Sequence, residues 1–267
     1  MKTPIYSTPR IVDFHTHVWP DNVAAKAVAT ITEFPIQGGG TVADLVADQE
    51  SAGVDLSVCL FFALRAERVE SVNEFAGSLD RSRFIPFGTI HPDLTPEENL
   101  ASLKSTDVRG IKVHPTFQQY TLDDPRVLDV LEAVAGTYPV VLHVGAGAGG
   151  DGSGATPRMI RDIARALPTL KVIAAHFGGY RFMKESLVEL VGTSVYLDTS
   201  WPPSLAALDP DTVRSIINRH GSNRILFGSD WPTASPADEI AALRNLDLPE
   251  EDVVAILGGN AVELLQL

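Results

Sequence analysis

Short apolar, β-branched runs alternate with longer amphipathic stretches from one end of this chain to the other, and that rhythm restricts the fold more than any other feature. Eight such runs stand out, at 10–14, 56–62, 84–90, 110–114, 140–143, 172–175, 194–198 and 225–227. Strands spaced this far apart pair in parallel, because a parallel neighbour needs a crossover of a dozen residues or more. The pattern predicts βαβ units. Eight strands with a helix after each is the count of a closed (β/α)8 barrel, a TIM barrel; a doubly wound open sheet is the alternative. The length of 267 residues suits the barrel, which takes roughly 250. No Pro/Ser-rich linker interrupts the pattern, so residues 1–267 read as a single domain.

The intervening segments carry helix-start chemistry. Thr95-Pro96-Glu97-Glu98, Asp209-Pro210-Asp211-Thr212 and Ser235-Pro236-Ala237-Asp238 each place a capping side chain before a first-turn proline. The cap oxygen satisfies an orphaned backbone N–H and the proline presets φ, so helices are expected from 96, 210 and 236.

Composition excludes several functions. A net charge of −13 repels phosphate backbones and anionic lipid, so nucleic-acid and membrane partners are not expected. No apolar run approaches the roughly 18 residues of a membrane helix, and a soluble cytoplasmic protein is the expected default. The single cysteine, Cys59, rules out an internal disulfide and a Cys-rich zinc site, and reads as a small buried apolar residue. The segment 145–154 contains G-x-G-x-x-G at Gly145, Gly147 and Gly150, yet no helix follows at once and no acidic residue ends a strand about 20 positions later. It reads as a mobile loop beside the active site. The G-x-S-x-G, H-E-x-x-H and G-x-x-x-x-G-K-[ST] signatures are absent, which removes serine hydrolases, zincins and P-loop ATPases.

The histidines are placed with more order than packing requires. Of the seven, His15, His17, His91, His114, His143 and His176 fall at or just beyond the C-terminal ends of expected strands, and His220 lies in an expected helix. Those strand ends form the active-site face of a (β/α)8 barrel. In D-F-H-T-H, period-2 alternation puts Asp13, His15 and His17 on one face, towards the barrel axis, and Val12 and Phe14 on the other, against the outer helices. His15 and His17 together with His143 in V-V-L-H-V and Asp230 in F-G-S-D-W-P make a three-imidazole, one-carboxylate set. That set suits one divalent ion, zinc first and manganese second.

In order along the chain, D-F-H-T-H, G-I-K-V-H-P, L-H-V-G, A-A-H-F-G-G and F-G-S-D-W-P resemble the amidohydrolase-2 branch of the amidohydrolase superfamily. That branch includes aminocarboxymuconate-semialdehyde decarboxylase and related non-oxidative decarboxylases. The resemblance implies a (β/α)8 barrel, His15, His17, His143 and Asp230 as ligands of the metal, and His176 as a catalytic group beside it. Lys112 stands where other amidohydrolases carry a carbamylated lysine bridging a second metal; a substrate contact and simple barrel packing are the competing readings.

Two reactions fit such a site. In the first reading, metal-activated water hydrolyses a cyclic amide, lactone or related carbonyl compound, with Asp230 taking the water proton and His176 serving the oxyanion or leaving group. In the alternative, the same site releases carbon dioxide from a small aromatic or unsaturated acid. Arg65 and Arg181, just beyond strand ends, are candidates for the substrate carboxylate. Lys112, His114, His91 and Trp231 complete the expected substrate contacts. Trp19 and Trp201 also follow strand ends and suggest an aromatic pocket, and the long segment after the first strand suggests a lid. A ligand-binding barrel without catalysis is the third class, disfavoured by the full set of ligands. A homo-oligomer is compatible with the sequence, though nothing in it locates an interface.

Overall fold

The computed structural model describes residues 10–146 and 151–267, so Gly147 and Gly150 of the glycine-rich segment lie outside the described residues. Eight parallel strands follow one another in chain order: β1 (Val12–Thr16), β2 (Leu56–Leu60), β3 (Phe84–Thr89), β4 (Gly110–Val113), β5 (Val140–Leu142), β6 (Val172–Ala174), β7 (Tyr196–Asp198) and β8 (Ile225–Leu226). The ring closes through the backbone beyond β8. Phe14 N donates to Phe227 O at 2.7 Å, Asp230 N to His15 O at 2.8 Å and His17 N to Trp231 O at 2.8 Å. Sequential order plus closure makes this a (β/α)8 barrel and not a doubly wound sheet, whose order would reverse at a switch point.

The cap-plus-proline signals act as expected. Helix Pro96–Ser105 starts with a reciprocal capping box between Thr95 and Glu98, helix Pro210–His220 is capped by Asp209, and helix Pro236–Arg244 by Ser235. The segment between β1 and β2 folds its first part into helix Asp21–Val28. None of the described helices is long and apolar enough to cross a membrane. Cys59 is fully buried, its thiol pushed up to about 12 by that burial, which is the inert behaviour expected of it.

Two separate apolar layers define which way each strand faces. One joins Ile111, Val113, Val140, Leu142, Val172, Leu197 and Ile225 to helix residues such as Leu103 and Leu131, and lies outside the ring. The other joins Val12 and Phe14 to Val58, Phe87, Val141, Ile173 and Leu226, side chains from strands all around the ring, and so fills its interior. Phe14 meets Phe87 edge-to-face at 5.6 Å there. Gly110 makes the room, since a Cβ on it would lie 2.3 Å from the Phe87 ring.

This reverses one expectation. Val12 and Phe14 point into the barrel, and Asp13 points the other way, tied to Ser229 by its backbone N–H at 2.9 Å and its hydroxyl at 2.6 Å. His15 and His17 nonetheless face inward. The cause is a bulge: Asp13 pairs with Ser57 but Thr16 with Cys59, so β1 spends one extra residue between them. A bulge re-aims the side chains that follow it, and here it separates Asp13 from the two histidines.

Candidate metal centre

The polar side chains at the C-terminal rim come from the ends of several strands, His15 and His17 from β1 and Asp198 and Ser200 from β7, and hydrogen-bond partners fix their states. His15 Nδ1 lies 2.8 Å from Asp198 Oδ2, and burial places the pair among apolar walls. The carboxylate accepts, so Nδ1 carries the proton and Nε2 is left as a lone pair. Consistently, the Lys112 ammonium, which has nothing but donors, sits 3.5 Å from that Nε2. His17 Nδ1 lies 3.0 Å from the Leu60 carbonyl, which again places the proton on Nδ1 and frees Nε2.

Asp230 stands between these two lone pairs, with Oδ1 3.4 Å from His15 Nε2 and 3.5 Å from His17 Nε2. Its backbone adopts φ 62°, a left-handed conformation that aspartate tolerates better than most residues, while its N–H is held by the His15 carbonyl. The close approach also needs Gly228, because a Cβ there would lie 2.8 Å from that of His15. Burial opposes a charge on Asp230, and only positive charge at the positions of His15, His17 and His176 holds its pKa down to about 2. Burial, then the Lys112 charge, drives His15 well below the ordinary imidazole range. A carboxylate facing two imidazole lone pairs is unfavourable unless a cation lies between them. Donors bound to one tetrahedral zinc at about 2.0–2.1 Å are about 3.3 Å apart, so these three residues fit a divalent ion.

A second group lies alongside. His15, His176 and Asp198 could also gather on an ion, although their polar atoms are satisfied by one another. Asp198 Oδ1 accepts the His176 backbone N–H at 2.8 Å and the Ser200 hydroxyl at 2.5 Å. His176 Nε2 lies 3.2 Å from His143 Nδ1. His143 therefore sits one imidazole away from Asp198 and does not share the tight cluster of His15, His17 and Asp230. Burial lowers His143, His114 and His176 alike, which keeps their lone pairs unprotonated at neutral pH.

The walls are aromatic. His114 stacks face-to-face on His143 at 3.8 Å and meets Phe117 at 4.2 Å and Phe62 at 5.0 Å, and its buried Nδ1 has no hydrogen-bond partner. Phe62 and Phe117 stack at 5.4 Å, and Phe62 also meets His17 edge-on. On the other side Trp19 lies against His17, while Tyr180 bridges His176 and Trp201. Lys112 is fully buried on the floor, its pKa lowered to about 8 by burial against the pull of Asp198 and Asp230.

The remaining expected residues are spread more widely. His91 is held by its own loop, its backbone clasped by Asn99 and its Nδ1 accepting from Asp93 N at 3.3 Å. Arg65 is exposed at the rim. Arg181 pairs with Glu33 at 3.6 Å and lies over the Tyr180 ring at 5.3 Å. Trp231 turns away from the imidazoles: its indole N–H donates to Asp48 at 2.6 Å and its ring packs on Gly38. Asp198 and Ser200 carry much of the network yet were not among the residues singled out from the sequence. The signal was there, since Asp198 is a carboxylate ending an apolar strand, as Asp230 follows β8.

A profile of the family described as Amidohydrolase matches residues 12–267. No functionally curated protein matches the chain in sequence. Among solved structures, 5-carboxyvanillate decarboxylase from Sphingomonas paucimobilis superposes with a TM-score of 0.71 at 16% identity, covering 97% of this chain and 100% of that one. Dihydroxybenzoic acid decarboxylase from Polaromonas sp. JS666, with bound manganese and the inhibitor 2-nitroresorcinol, gives 0.72 at 16% identity over 97% and 98%. A probable 2-pyrone-4,6-dicarboxylic acid hydrolase from Acinetobacter baumannii, with citric acid bound, gives 0.68 at 17% identity over 97% and 100%. At these identities the likeness is one of fold.

Proposed function

The chain belongs to the amidohydrolase family, and from that premise we propose that it is a metal-dependent carboxy-lyase that releases carbon dioxide from a small, flat carboxylic acid. His15, His17, His143 and Asp230 would hold one divalent ion, for which manganese and zinc are the candidates. The observation that carries the reading is the juxtaposition of the His15–His17–Asp230 cluster with a buried ammonium and an aromatic wall. Such a pocket suits a planar acid: cations for its oxygens, ring faces for its ring. Decarboxylases of aromatic acids among the similar folds, one with manganese, support this choice over hydrolysis.

The bound ion would supply positive charge to fix and polarise the substrate's oxygens. Lys112 adds a second cation below them. Asp230, ionised at rest, takes up a proton from solvent water and delivers it from a carboxylate oxygen to the carbon that bears the substrate's carboxyl group. The carbon–carbon bond then breaks, carbon dioxide leaves, the electron pair of that bond restores the ring's π system, and the delivered proton stands where the carboxyl group was. His176 and the aromatic wall exclude water and hold the ring plane.

The test is carbon dioxide release from a panel of hydroxylated aromatic acids, run in D2O with manganese or zinc restored. Release with deuterium at the vacated carbon, lost on chelation, is the expected result. Hydrolysis is the second reading, kept because an ionised Asp230 can accept a water proton and because a dicarboxylic-acid hydrolase shares the fold. Ring opening of 2-pyrone-4,6-dicarboxylate without carbon dioxide release would favour it and overturn the first.

A further inference from the structure

Hydrogen atoms can be counted through the buried network, and the count constrains His143. Asp198 accepts three bonds: His15 Nδ1–H on one oxygen, His176 N–H and the Ser200 hydroxyl on the other. The Ser200 oxygen–carboxylate distance of 2.5 Å is that of a charge-assisted O–H···O⁻ bond, so the one hydroxyl hydrogen is committed there. His176 Nδ1 then has two neighbours, the Ser200 hydroxyl oxygen at 2.9 Å and the Ser200 carbonyl at 3.1 Å. Both can only accept, so the proton of His176 belongs on Nδ1 and its Nε2 is a lone pair. The next partner, His143 Nδ1, is 3.2 Å from that lone pair and must itself carry a proton. The remaining nitrogen of His143, Nε2, is left bare.

We infer that Asp198, Ser200 and His176 form a tautomer relay, in which His176 acts as a positioning residue that keeps His143 Nε2 unprotonated and ready to ligate a metal. The relay rests on the metal-site reading above but not on which reaction the site performs. The backbone holds the middle member in place. His176 and Phe177 take left-handed conformations, φ 59° and 50°, and Ser186 Oγ donates to the Phe177 carbonyl at 2.6 Å. The stacking of His114 on His143 fixes the ring plane from the other side. The relay gives His143 the same proton placement that Asp198 gives His15 and Leu60 gives His17, so three imidazoles from two strands present the same nitrogen.

The test uses metal-free full-length protein. Nitrogen-15 NMR of the ring nitrogens reports each tautomer, and titration with zinc alone reports affinity. Wild-type His143 and His176 should both show a protonated Nδ1 and a bare Nε2. His176→Leu should release the His143 tautomer and weaken zinc binding by about 10–100-fold. His176→Gln, whose side-chain oxygen can accept from His143 Nδ1–H, should restore most of both. A wild-type His143 protonated on Nε2, or zinc affinity unchanged in His176→Leu, would overturn the relay. Failure of wild-type protein to bind zinc or manganese would remove the metal site and the proposed carboxy-lyase with it, while the ring-nitrogen spectra would still decide the relay.

Discussion

Replacing Asp198 by asparagine changes one atom and, by the geometry, moves one proton. The amide oxygen should take the place of Oδ1, where two donors wait, the His176 backbone N–H and the Ser200 hydroxyl. The amide NH2 is then left at the Oδ2 position, 2.8 Å from His15 Nδ1. Two donors cannot face each other, and the Ser200 hydroxyl oxygen, 3.0 Å from His15 Nδ1, already accepts from His176 Nδ1, so His15 turns a lone pair to Nδ1 and carries its proton on Nε2. That proton would sit where His15 faces Asp230 at 3.4 Å, on the nitrogen the metal needs. Loss of a partner that orients a metal-ligating histidine typically weakens metal binding by about 10–100-fold, or about 1.4–2.7 kcal/mol. The upper half of that range is expected, since the substitution both misplaces a proton and removes one of two carboxylates that sustain the Lys112 charge. Competition of metal-free protein with a chromophoric zinc chelator at pH 7 measures it, with the denaturant midpoint as control for folding. A Kd within threefold of wild type in a folded Asp198→Asn protein would refute the proton assignment at His15.

Three further outcomes follow from the same geometry. Phe14→Ala, which empties a fully buried ring from the barrel interior, should lower stability by about 3–5 kcal/mol in denaturant titrations without loss of the fold. Thr95→Ala removes the side-chain half of a capping box on an outer helix, leaving the bond from its own backbone N–H to Glu98, and should cost about 1 kcal/mol while leaving metal affinity unchanged. His220 accepts from Gly192 N at 3.1 Å and donates to the Val195 carbonyl at 2.8 Å, and burial lowers its pKa to about 4. Its folded pKa lies below the unfolded value of about 6.5, so its contribution is full above pH 6.5 and fades as pH falls towards 4, by at most about 3 kcal/mol. Asp13 and Glu239, both raised to about 7 by burial, slope the other way, so the measurement is the wild-type minus His220→Gln difference in stability at pH 7 and pH 5. An equal difference at both values would refute it.

How much of this was legible in the residues depends on the range of the forces involved. Strand positions and helix starts were readable because each βα unit carries its own apolar run and its own cap, as at Thr95 and Asp209. The gathering of histidines at one rim followed from parallel topology alone. The facing of Asp13, Val12 and Phe14 was not readable, because a single bulge shifts a period-2 pattern without any change in composition. Trp231 was misread as a pocket residue for a similar reason: the left-handed turn at Asp230 sends the carboxylate inward and the indole outward. Asp198 ends its strand as a carboxylate, a signal that could have been read, but Ser200 in the Asp-Thr-Ser that closes β7 looks like a cap, and only long-range contacts distinguish it. The contest between hydrolysis and decarboxylation lies at the scale of a proton's position, which residue types do not encode.

The clamp between Asp13 and Ser229 joins positions 216 residues apart. Asp230 lies next to it, so the first and last strands of the ring meet at the candidate site, which is among the last parts of the ring to be completed. A nascent chain that has emerged only as far as β7 carries His15 and His17 but not Asp230, the third member of their cluster. Closure between residues so far apart slows folding, and in this barrel it also makes synthesis through β8 a condition for bringing His15, His17 and Asp230 together.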